Sequence, residues 1–362
     1  MLSILVIQPA APSTTSPALP PAQDVARPRR VRLVRGAVIA CLTLAVLAGC
    51  GSGDKGTAQP ARPAPSDSAV SSPPAGPSTP SVAASPSTAA AATVTVPAGV
   101  TAGIVIFDRQ SGTFVIQQKA SWRFRSASLV KLMIALDYFW NRGPSYTVPA
   151  ADRPKLDVML RSSDDTAATG LWKADGQREI VTRMVQRLGL QDTAPPPASQ
   201  PGYWGYTAVS AGDLVRVYQY ILGKAPAPVR DYIMGNLHES TKCGTDKYDQ
   251  SFGIPSTFRK PWSAKQGWSG FGDNPQTPCV ANAALSQGEP AGGPGAFVDV
   301  AAPNQPDMSG EVLHTTGTVG DNDRYIVAVL SVHPNGTQFA KAAATLTKLT
   351  KSLPLPAAVK AP

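Results

Sequence analysis

Hydrophobic positions change period twice along the chain. Two β-rich runs, Ala102–Asp108 and Thr113–Gln118, flank Arg109-Gln110-Ser111-Gly112, which predicts a hairpin. From Ser128 the period becomes helical, with Leu129, Leu132, Met133, Leu136, Phe139 and Trp140 on one face until Gly143-Pro144. Helices are also predicted over residues 155–172, 177–188, 210–223 and 226–236. Strand character returns at 262–269, 312–319 and 324–332, and a last amphipathic helix spans about 337–353. This order predicts an α/β (α+β) domain whose sheet is built from both chain ends, with a helical block inserted between them.

The pattern is confined to part of the 362 residues. Every aromatic residue lies at or after Phe107, whereas 14 of the 36 prolines precede residue 93. A packed core needs large apolar side chains, so the predicted domain is 96–356, followed by a tail at 357–362. Residues 1–93 hold seven Lys/Arg against three acids, which leaves +5 of the +9 net charge for the rest. Those charges are scattered without interleaved aromatics, which excludes a nucleic-acid partner. No apolar run reaches the roughly 18 residues that a membrane span needs. Five arginines between Arg27 and Arg35 instead precede a shorter apolar run ending in Leu47-Ala48-Gly49-Cys50. Residues 1–50 therefore read as an N-terminal extension plus an export signal, with translation expected to begin near Val25. The last four residues look like a bacterial lipobox, so Cys50 is the expected lipidation site. The protein is then held at the outer face of the cytoplasmic membrane. Residues 51–95, rich in Pro, Ala, Ser and Thr, are expected to be a disordered spacer. Cys243 and Cys279 remain as a pair, most simply a disulfide in an exported domain. His238, His314 and His333 show no ligand spacing, so no metal and no cofactor are expected.

The common hydrolase and nucleotide-binding motifs are absent, and three histidines give little material for a Ser-His-Asp triad. What stands out is Ser128-Leu129-Val130-Lys131 where a strand segment hands over to a helix. Residues i and i+3 share a helix face, so Lys131 lies one turn from the Ser128 hydroxyl. A buried lysine can act as the base that activates a serine. Ser163, within Arg161-Ser162-Ser163-Asp164-Asp165, follows 35 residues later, and Lys265-Gln266-Gly267-Trp268 opens a returning strand. Each piece alone reads equally as a helix cap, a solvated lysine or an edge-strand charge. Together, in order and in register, they resemble the S-x-x-K, S-D-N and K-T-G elements of the penicillin-recognising serine hydrolases. That family comprises class A β-lactamases and D-alanyl-D-alanine peptidases, and the likeness covers about Gly99 to Leu353.

The resemblance implies a β-lactamase/transpeptidase-like fold with an antiparallel sheet. It implies Ser128 as acyl-accepting nucleophile, Lys131 as its proton partner and Ser163 as a relay toward the leaving nitrogen. Lys265 would attract a substrate carboxylate, and Gly267 would admit the substrate to the strand backbone. The backbone N–H groups of Ser128 and Trp268 would form an oxyanion hole. The implied ligand is a β-lactam or a peptidoglycan D-alanyl peptide. Three departures stand out. Asp165 replaces an amide and, close to Lys131, would pair with its ammonium and weaken it as a base. Gln266 replaces a hydroxyl residue in the carboxylate pocket. Residues 188–207, where class A enzymes carry a deacylating glutamate, contain no Glu and only Asp192 as an acid. Weak deacylation is expected. A catalytically impaired lipoprotein that binds cell-wall peptide or a protein partner is the alternative.

Overall fold

A computed structural model describes residues 93–280 and 310–362. The export signal, Cys50, nearly all of the 51–95 spacer and residues 281–309 lie outside the described residues. Strands β1 (Thr101–Asp108) and β2 (Thr113–Gln118) form the predicted hairpin. From the far end of the chain come β5 (Trp262–Ser269), β6 (Glu311–Val319) and β7 (Tyr325–His333). The five join in the antiparallel order β2-β1-β7-β6-β5. Two short strands, β3 (Phe124–Arg125) and β4 (Ala208–Val209), pair separately beside the helices.

The sheet is covered on both faces, and strand alternation divides its side chains between two cores. Ala102, Ile104 and Ile106 of β1 pack with Leu346, Leu349 and Leu353 of the C-terminal helix α8 (Phe339–Lys351) and the residues after it. Val105 of β1 and Ile326, Ala328 and Leu330 of β7 face the inserted helices. At the centre of that lobe lies α1 (Lys131–Trp140), preceded by a 3-10 turn at Ala127–Val130. Every residue from Ala127 to Phe139 is buried, which fits a sequence apolar on nearly all sides.

Residues 155–172 do not form one helix. They divide into α2 (Arg153–Arg161) and α3 (Asp165–Ala174). The break comes from polar chemistry inside a continuous apolar period. Asp164 caps α3, its Oδ1 accepting from Ala167 N at 2.6 Å, and Ser163 takes a left-handed conformation with φ +58°. Helices α4 (Arg178–Leu188), α5 (Ala211–Gly223) and α6 (Ala227–His238) match their predicted spans closely, and a short α7 (Ile254–Thr257) was not foreseen. Cys243 and Cys279 form a disulfide with their Cα atoms 5.6 Å apart. The segment after Pro356 carries one 3-10 turn, and Ala361 N donates to Thr257 O at 2.8 Å.

Candidate active site

Three segments meet around the start of α1. Residues 126–130 are fixed from behind: Ser126 N donates to Thr207 O at 2.7 Å, and Leu129 N to Ser126 O at 3.0 Å. Ala127 has φ +45°, a conformation that costs a side chain energy and turns the following serine off the helix axis. Strand β5 approaches from the front. A Cβ at Gly267 would stand 3.0 Å from Ser126 O and 3.1 Å from the Leu129 side chain, so glycine lets the two segments touch. The expected oxyanion donors at Ser128 and Trp268 lie on these two neighbouring segments. The break between α2 and α3 supplies the third side.

Four of the predicted side chains connect through Lys131. Its Nζ donates to Ser128 Oγ at 2.9 Å, to Asp165 Oδ1 at 2.6 Å and to the Ser163 carbonyl, with Ser163 Oγ at 3.3 Å. Lys265 Nζ reaches the same Ser163 Oγ at 2.8 Å. The hydroxyls of Ser128 and Ser163 and both amines therefore form one continuous chain. Ser163 joins it with both its hydroxyl and its carbonyl because its left-handed φ turns the backbone inward. Lys131 and Lys265 are 0% and 1% exposed. Burial, and next the Lys131 charge, hold the Lys265 ammonium well below the ordinary lysine range. Asp165 is different, for its side chain is 43% exposed and occupies the mouth.

Gln266 is not brought into this group. Strand alternation turns it away from Lys265, and its amide Nε2 donates to the carbonyls of Gln250 and Phe252 at 3.0 and 2.6 Å. Asp192 is also occupied elsewhere, accepting from Ser210 Oγ at 3.0 Å near the start of α5.

Two residues that the motifs did not reveal border the site. The indole of Trp204 lies with its centroid 4.9 Å from Lys131 Nζ, a cation–π contact, and its Nε1 donates to Thr169 Oγ1 at 3.1 Å. Asp246 Oδ2 accepts from Trp268 Nε1 at 2.8 Å. Burial, with a smaller repulsion from Asp165, raises the Asp246 carboxyl above its usual range. The cluster Tyr203-Trp204-Gly205-Tyr206 was the available signal for the first, and the nearness of Asp246 to Cys243 for the second. Among the described residues, no group of three His, Cys, Asp or Glu side chains is placed to hold a metal.

An antiparallel sheet from both chain ends, enclosing a helical lobe whose central helix follows the 3-10 turn that carries the S-x-x-K serine, is the β-lactamase/transpeptidase-like α+β fold. No protein-family profile matches the chain. It is 31% identical over 260 residues to the protein named "Putative lipoprotein LppW" of Mycobacterium tuberculosis H37Rv, a match covering 70% of each chain. The LppW of Mycobacterium bovis matches to the same extent. The chain belongs to the LppW family. Among solved structures it is similar to PBP-A, with a TM-score of 0.49 and 16% identity over 71% of this chain and 90% of that one. It is also similar to a class A β-lactamase from Mycobacterium abscessus, with a TM-score of 0.47 and 16% identity over 70% and 92%.

Proposed function

We propose that this protein is a lipid-anchored serine acyl-transfer enzyme that forms an acyl-enzyme at Ser128 and releases it slowly. The observation that carries this reading is the unbroken contact chain Ser128–Lys131–Ser163–Lys265 within one buried cluster. Ser128 Oγ attacks the carbonyl of a β-lactam or D-alanyl peptide, and its proton passes to Lys131. Ser163 relays a proton to the departing nitrogen, with Lys265 hydrogen-bonded to its hydroxyl from behind. The tetrahedral oxygen is held by the N–H groups of Ser128 and Trp268.

Two features slow this chemistry. Lys131 Nζ lies 2.6 Å from the Asp165 carboxylate, and an amine that keeps its third hydrogen for that ion pair has no lone pair to take the Ser128 proton, so attack needs the neutral amine. No glutamate in residues 188–207 is available to activate a deacylating water. The same two observations favour a second reading, in which the fold binds cell-wall peptide or a protein partner without turnover. In both readings Cys50, in the lipobox-like sequence, anchors the domain at the outer face of the cytoplasmic membrane, consistent with the name of the LppW relatives.

The test is prolonged incubation of the full chain with a labelled penicillin, digestion and mass spectrometry. The enzyme reading predicts a covalent adduct on Ser128 that is lost in Ser128→Ala, with nitrocefin hydrolysis barely above background. An unmodified Ser128 would leave the binding reading in its place.

A further inference from the structure

The motif residues of the site do not include its second carboxylate at the mouth. Asp246 stands at the turn of the 243–249 hairpin, whose base is joined by the Cys243↔Asp249 bridge and tied to Cys279 by a disulfide. The hairpin is fastened to the segment that carries Ser163, with Thr245 N donating to Ser162 O at 2.9 Å and Thr241 N to Arg161 O at 3.1 Å. Its own turn shapes Asp246, whose Oδ1 accepts from Tyr248 N at 3.2 Å. Gly244 leaves room for it, because a Cβ there would stand 2.5 Å from Asp246 Oδ1 and 3.0 Å from the Trp268 ring. The carboxyl is thereby pressed against Trp268 on β5 and interacts electrostatically with Lys131, Asp165 and Lys265.

The signs of charge are layered. Both lysines are sealed at the bottom, whereas Asp165 and Asp246 keep part of their surface in solvent. Asp165 is paired with Lys131 at 2.6 Å, which leaves the Asp246 carboxyl, against the Trp268 indole, as the acidic group here without a cation bonded to it among the described residues. Like charge at a binding surface discriminates by repulsion, and a water-poor crevice strengthens that repulsion.

Resting on the Ser128 acyl-enzyme reading, we propose that Asp246 is a specificity-determining residue. It selects, among carbonyl ligands of this site, those that carry a cationic group next to the scissile bond. It disfavours those that present a free carboxylate there. The ordinary β-lactam and the unmodified D-alanyl terminus then acylate Ser128 slowly, giving an adduct on prolonged incubation, and a peptide whose carboxylate is amidated or replaced by an amine acylates it faster.

The test uses three matched thioesters that differ only in the group beside the scissile carbonyl: ammonium, carboxamide or carboxylate. Second-order rates of Ser128 acylation are measured by intact mass on the full chain. The expected order is ammonium, then carboxamide, then carboxylate, with the ends of the series separated by about tenfold or more. In Asp246→Asn, whose single carbonyl oxygen can accept from the Trp268 N–H at the expense of the Tyr248 N–H, the ammonium-to-carboxylate ratio should fall by about tenfold. Asp246→Ala is run beside it, and unfolding midpoints of both variants exclude loss of fold as the cause. Equal rates across the series, or a ratio indifferent to Asp246→Asn, would overturn the specificity role while leaving the acyl-enzyme intact. Absence of a Ser128 adduct from all three ligands would instead overturn the reading on which it rests.

Discussion

At the scale of single residues, the site is governed by what surrounds one amine. Lys131 spends its hydrogens on Ser163, Asp165 and Ser128 together, so the carboxylate competes directly with the nucleophile for the lysine. Asp165→Asn removes the ion pair and restores a neutral partner. Acylation of Ser128 by an activated ester should then accelerate by about tenfold, as stopped-flow or intact-mass kinetics would show. A slower reaction would mean that Asp165 assists the lysine. The Ser128–Lys131 pair was legible because three-residue spacing on a helix is a strong geometric rule. Asp246 and Trp204 were not, since each reaches the crevice through a loop whose position has no periodic signature in the sequence. Gln266 was misassigned for a related reason: in a strand, adjacent residues point to opposite faces, and only the partner elements show which face is occupied.

At the scale of elements, the site depends on where helices stop and how strands touch. Residues 155–172 carry one continuous apolar stripe, so a period-based reading joins α2 and α3. The break is set by Asp164 and by the left-handed Ser163, features that a hydrophobic pattern does not register. Pairing of β5 with β6 is tighter still. Gly317 lies opposite Ala264, next to Lys265, and a Cβ there would fall 1.9 Å from Ser263 O. Gly317→Ala should therefore force the strands apart and lower stability by roughly 3–5 kcal/mol, read from urea unfolding. The disulfide acts on the adjacent hairpin. Its cysteines are 36 positions apart, and replacing both with serine should cost about 3–4 kcal/mol on the loop-entropy account. A loss below about 1 kcal/mol would show that segment to be held by packing alone.

At the scale of the whole molecule, the titrating groups inside the sheet set its acid tolerance. Burial lowers His314 and His333 from 6.5 to about 4 each. Both are neutral in the fold, so the stability they allow is complete above pH 6.5. It declines as pH falls toward 4, because the unfolded chain binds protons that the folded chain refuses. His238 acts in the opposite sense. Its hydrogen bond to Asp323, 3.0 Å from Nε2, raises its pKa, so its contribution is full at low pH and fades as pH rises through the folded value. The His238 effect lies above pH 6.5 and is constant below it, so the two buried histidines should make the unfolding midpoint fall steadily between pH 6.5 and 4, and a flat profile there would contradict the neutral buried state. The α+β arrangement itself was legible because strand and helix periods separate cleanly and the aromatics mark where the core begins. The central claim is that Ser128 is the acyl-accepting nucleophile of this site. Its most direct test is reaction of the full chain with a small uncharged fluorophosphonate, followed by peptide mapping. The account predicts stoichiometric phosphonylation at Ser128 that is lost in Lys131→Ala, and labelling spread over several serines, or none at Ser128, would contradict it.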